Sequence, residues 1–214
     1  MIYIFDSPEF QVLAAAKGIE RYYGFPSAEE MNREQIFFSV YQLTKAGILK
    51  PGKDGLIIQP PVAQYMDVIA AAEQVTIADS GQYRLPRQCI YVCKDEAEGD
   101  RRFVCMENSQ TDPGGICLSG QDEDEVFLQL QDMGQLPGEH LTEDIGTYDF
   151  EGYWDRHMPE GLWELLKQGL GTETEELLET ELVHSVFTLR DKAGGQIKER
   201  MALLDFALEY CMVL

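Results

Sequence analysis

The chain has 214 residues, 44% of them hydrophobic, enough to bury about 70% of its unfolded surface without help from metals or disulfides. Its 38 acidic and 17 basic residues give a net charge of −21, a field that repels phosphate backbones and anionic membrane surfaces and admits basic or weakly polar polypeptides. The charge is uneven, since residues 1–60 hold six Lys/Arg and seven Asp/Glu, whereas residues 122–181 hold 18 acids against two bases, Arg156 and Lys167.

The opening Met1-Ile2-Tyr3-Ile4-Phe5 has no basic leader, and no window approaches the roughly 18 apolar residues of a membrane span, so the chain is expected to be cytoplasmic and free of membrane. Ser7-Pro8-Glu9 places a cap residue before a proline at the first helical position. Phe10, Leu13 and Ala14 continue that helix to about Tyr23, where Gly24-Phe25-Pro26 stops it. A second helix runs from Ala28 or Asn32 to Ala46, with Ile36, Phe37, Val40, Leu43 and Thr44 at three- and four-residue spacing and Gly47 as its stop. Ile48-Leu49 and Leu56-Ile57-Ile58 flank Lys50-Pro51-Gly52-Lys53-Asp54-Gly55, which reads as a hairpin loop. Pro60-Pro61 opens a third helix through Val62, Tyr65, Met66 and Ile69.

Strand patterns follow over 75–78, 88–93, 102–106 and 115–118, with turn-forming links short enough for an antiparallel meander. Asp122-Glu123-Asp124-Glu125 precedes Val126, Phe127 and Leu130, where carboxylates suit the positive end of a helix. Residues 135–155 have no clear period and read as a long loop. Residues 158–178 read as helical with a break at Gly169-Leu170-Gly171 and Thr172 as a cap. A strand over 182–189, a turn at Lys192-Ala193-Gly194-Gly195 and one or two strands over 197–214 complete the chain. The fold class is α+β, a helical N-terminal unit (1–60) packed with antiparallel sheets (61–134 and 135–214) in one compact domain. Helix-then-hairpin order recurs, which suggests two related halves.

The five cysteines, Cys89, Cys93, Cys105, Cys117 and Cys211, are odd in number and read as reduced. Cys89 and Cys93 are four residues apart on a strand, about 13 Å, too far to share one ion. No metal and no cofactor is expected. His140, His157 and His184 lie in different contexts without a nucleophile motif, although a Cys-His pair can meet in space. Asp122-x-Asp124 begins like a calcium loop, but Val126, Phe127 and Met133 occupy positions that need a ligand, a glycine and an acid. Cys211-Met212-Val213-Leu214 has the form of a prenylation box, without an upstream basic stretch, and reads as a final strand.

The candidate site is the run Tyr148, Asp149, Phe150, Glu151, Tyr153, Trp154 and Asp155, with Trp163 nearby. Aromatic and acidic side chains interleave there in a way that suits a partner-binding surface with anchors and a charged rim. The same carboxylates, Asp149, Glu151 and Asp155, suit an acid/base hydrolase, and rings plugging the core with acids in water is the structural alternative.

Helix, helix and a lysine-tipped hairpin over residues 8–58 resemble a winged-helix module, with 33–41 as the groove-reading helix; this gives a transcription regulator as one alternative, against which the charge balance argues. Gln42-Leu43-Thr44-Lys45-Ala46-Gly47-Ile48-Leu49 leading into a Gly-rich turn and helix, then central antiparallel strands and late hairpins, is similar to the cytosolic specificity chaperones of the ESX (type VII) secretion systems. That resemblance implies a non-enzymatic protein that shields an apolar helical tip of a substrate before export. The expectation is therefore a binder or chaperone-like adaptor of another polypeptide.

Overall fold

The computed structural model describes residues 1–23, 31–53, 55–80, 86–94, 101–109, 114–134, 178, 183–206 and 209–213. Their architecture is α+β. Strand β1 (Ile2–Phe5), helix α1 (Ser7–Ala16), helix α2 (Arg33–Lys45), the hairpin β2 (Leu49–Gly52) and β3 (Gly55–Ile58), and helix α3 (Val62–Ala71) come first. Strands β4 (Gln74–Ser80), β5 (Gln88–Lys94), β6 (Arg101–Asn108) and β7 (Ile116–Gln121), helix α4 (Glu123–Gly134), and strands β8 (Val183–Asp191), β9 (Ile197–Phe206) and β10 (Glu209–Val213) follow.

One eight-stranded sheet, ordered β1-β7-β6-β5-β4-β8-β9-β10, carries the molecule, and its neighbouring strands are all antiparallel. The expected meander is present as β4 to β7, and both late strands form, so Cys211 lies within β10 rather than in a free tail. Alternation along β5 divides the core: Cys89 and Tyr91 join the cluster of Phe10, Leu13, Met66 and Ile69 beneath α1 and α3, while Ile90 packs with Phe103, Cys105 and Val126 beneath α4. Strand β8 departs from simple alternation, being buried continuously from Val183 to Thr188, as a strand in the middle of a covered sheet is.

Side-chain capping explains where α1, α2 and α4 begin, whereas α3 starts at Pro61 without a side-chain cap. Asp6, not Ser7, caps α1 in a reciprocal box with Glu9, Asn32 and Gln35 do the same for α2, and Asp122 with Glu125 for α4. The acid run at 122–125 is thus a helix start. Helix α1 ends well before Tyr23, because the chain passes through Gly18 at φ +67° after the Lys17 cap. The apolar residues that mimic a longer helix serve a tether instead: Tyr22 meets Phe10 edge-on at 5.1 Å, and Arg21 donates to the Ala193 carbonyl at 2.8 Å.

Two close contacts give checks on this arrangement. A Cβ at Gly120 would lie 2.5 Å from the Tyr65 ring, whose hydroxyl donates to the Met1 carbonyl at 3.1 Å. Gly120→Ala should therefore displace that ring and cost about 1–3 kcal/mol in a denaturant melt. In the β8–β9 turn, the Asp191 carboxylate accepts the Ala193 and Gly194 amides at 2.8 and 3.0 Å. The Gly194 bond chiefly, with the Ala193 amide and Lys198, holds its pKa below the ordinary 3.8. A depressed carboxyl stabilises the fold above its unfolded pKa and loses that effect as pH falls through the lower folded value. Asp191→Ala should flatten the acid limb of the stability profile below pH 3.8 and leave the neutral region's slope unchanged.

Candidate functional site: an apolar groove on the N-terminal unit

The run from Tyr148 to Asp155 and Trp163 lies outside the described residues, as do the long loop at 135–155, His140, His157 and most of the helix expected over 158–178. Among the described residues, the most exposed cluster of large apolar side chains beyond the chain's first residues is on α2 and the β2–β3 hairpin.

Helix α2 is held to the body by a narrow strip. Of its 13 residues only Ser39 and Leu43 are buried. Phe37, Phe38 and Tyr41 are 73%, 58% and 61% exposed. The three- and four-residue spacing of Ile36, Phe37, Val40 and Leu43 is that of a core stripe, yet Leu43 alone of these is buried. Rings at 37, 38 and 41 widen the apolar arc beyond what one packed face requires, and that width was the available signal.

Beside this arc, a groove of about 730 Å³ opens between α1, α2 and the hairpin. Ala15 and Ala16 of α1 line one side, Ile36 and Val40 of α2 another, and Leu56 and Ile57 of β3 the third. The hairpin itself is as expected, although pairing reaches further than the sequence suggests: Gly52 opposes Gly55, so only residues 53 and 54 separate the strands. Gly52 leaves space for the Ile57 side chain, since a Cβ there would come within 2.5 Å of it and push its exposed end aside.

The charges around the groove differ from those of the chain as a whole. Lys53 lines it, and Lys50 is the cross-strand partner of Ile57. Arg33 precedes Ile36 and Phe37 by three and four residues, and Lys45 follows Tyr41 by four, placing each beside the apolar arc. None of these four cations forms an ion pair among the described residues. Glu34 is the one acid of α2.

Other chemistry-bearing groups are placed differently. Cys89, Cys93, Cys105 and Cys117 are free. Burial pushes the Cys89 thiol upward and the Cys105 thiol to about 12, the reverse of what a nucleophile needs. His184 is buried in β8, with Nδ1 3.2 Å from Ser185 Oγ. No group of three or more metal-ligating side chains occurs among the described residues. No described helix is long and apolar enough to cross a membrane.

A single face of Arg21, Arg33, Lys45, Lys50 and Lys53 would favour DNA binding, and Arg21 donates to the Ala193 carbonyl of the β8–β9 turn. Compared with known protein families and with curated proteins, the chain matches none.

Proposed function

We propose that this chain is a non-enzymatic binder of another polypeptide, a chaperone-like adaptor whose docking surface is the outer face of α2 and the adjoining groove. The observation that carries the reading is the exposure of Phe37, Phe38 and Tyr41 around Ile36, beside a trough lined mostly by apolar residues. Burying one such side chain is worth about 1.5–3 kcal/mol, so a few of them supply the affinity of a specific complex. Exposed apolar patches of this kind, rimmed by charge, mark interaction sites more often than accidents of the surface.

The resemblance to the ESX specificity chaperones supports the same class of activity, the shielding of an apolar segment. Helix, helix and hairpin follow one another as α1, α2 and β2–β3, but α2, the helix a winged-helix reading would place in a DNA groove, displays Ile36, Phe37, Phe38 and Tyr41 between its two terminal cations, Arg33 and Lys45. That display favours a protein partner.

The test is affinity capture from the native host's lysate, followed by the same capture with Phe37→Asp/Tyr41→Asp. A stoichiometric partner retained by the parent chain should be lost by the variant, a weakening of about 2 kcal/mol or more, with an unchanged thermal melt. If the variant keeps the partner and Trp154→Ala releases it, the surface lies on residues 148–163 instead.

A further inference from the structure

We propose that the occupant of the groove is an amphipathic helix with acidic flanks. This rests on the docking reading above and names the chemistry of the partner.

Shape selects a helix. The trough runs between two helices and the face of a two-stranded hairpin, a surface on which a further helix packs by fitting its side-chain ridge into the groove. Ala15 and Ala16 leave room for a backbone to approach closely, while Ile36, Val40 and Ile57 meet a ridge of apolar residues spaced at three and four. Ile57 is itself 53% exposed, so the apolar lining is open to an incoming ridge.

Charge selects acidic flanks. In a chain of net charge −21, four cations without ion pairs among the described residues border this one apolar surface. Lys50 and Lys53 stand at the hairpin, and Arg33 and Lys45 stand at opposite ends of α2. Screening at physiological salt confines each charge to about 8 Å, so a docked segment meets chiefly these four cations, with Glu34 the one acid on α2 beside them. Basic flanks would place like charges against them, and neutral flanks would forgo the attraction that acidic flanks gain.

The experiment is selection of displayed random peptides of about 16 residues, long enough for roughly four helical turns, on the full chain. Clones that also bind Ile57→Asp are removed. Should Ile57→Asp fail to fold, Gly52→Ala replaces it, since the added Cβ forces the Ile57 side chain out of place. The expected clones carry net negative charge and apolar residues at helical spacing. Their affinity should fall by about tenfold or more in Lys50→Glu/Lys53→Glu, mostly through the association rate.

Groove-dependent clones that are neutral, basic or extended, or that ignore the charge reversal, overturn the inference and leave polypeptide docking standing. A monomer–dimer equilibrium abolished by Ile57→Asp would make the occupant a second copy of this chain and likewise overturn it. Absence of groove-dependent clones from a folded, monomeric chain overturns both this inference and the docking reading.

Discussion

Leu43→Ala should lower the unfolding free energy by about 2–5 kcal/mol, whereas Phe37→Ala on the same helix should change it by no more than about 0.5 kcal/mol. The two positions are six residues apart and both apolar, and what separates them is what they touch. Leu43 is 1% exposed and belongs to the main core, where truncation leaves a cavity whose lining loses its contacts. Its carbonyl also accepts the Ile48 amide at 2.9 Å, tying the end of α2 to the hairpin. Phe37 has solvent on most of its surface, so its removal takes little from the folded state. Urea titration of the two variants measures the difference. Equal costs would mean that Phe37 is covered in the folded chain, and the docking surface on α2 would have to be given up.

The same pair shows what a sequence can and cannot convey about such a site. Helical spacing identifies α2, and Asn32 with Gln35 and Gly47 mark its ends, because capping and stopping are local chemistry. Which apolar residues face the core is decided by the neighbour, and on α2 only Ser39 and Leu43 are buried, with Val40 partly covered against the same core. Periodicity therefore reports a stripe without reporting that most of it is unburied. Helix α1 fails in the opposite sense: Ile19, Tyr22 and Tyr23 extend the apolar pattern past Gly18, but they answer to contacts with Phe10 and Tyr91, which no local signal encodes. The meander of β4 to β7 was legible because short links leave antiparallel pairing as the only option. Continuous burial along β8 was not, since it depends on a strand far away in sequence, β4, becoming its neighbour.

Tyr91→Ala should cost about 3–5 kcal/mol, and Tyr91→Phe about 1–3 kcal/mol. The ring is fully buried on the α1–α3 face of β5, so truncation to Ala opens a cavity in the main core. The hydroxyl has a separate task. It accepts the Tyr23 amide at 2.7 Å and lies 3.3 Å from the Tyr23 carbonyl, satisfying both backbone groups of one residue in the segment that leaves α1. That segment continues outward to the β8–β9 turn, where the Tyr23 hydroxyl donates to the Lys192 carbonyl at 3.1 Å and Lys192 Nζ in turn donates to Ile69 and Ala70 at the end of α3. One phenol thus fixes a strap between the helical unit and the far half of the sheet. Removal of its oxygen strands an amide and a carbonyl while the apolar packing stays, which is why Phe should cost less than Ala but more than nothing. Hydrogen exchange separates the two contributions: Tyr91→Phe should speed exchange of the Tyr23 amide far more than that of amides in β5. If the Tyr23 amide remains as protected as in the parent chain, the hydroxyl does not hold the strap, and the loss in Tyr91→Ala is a matter of packing alone.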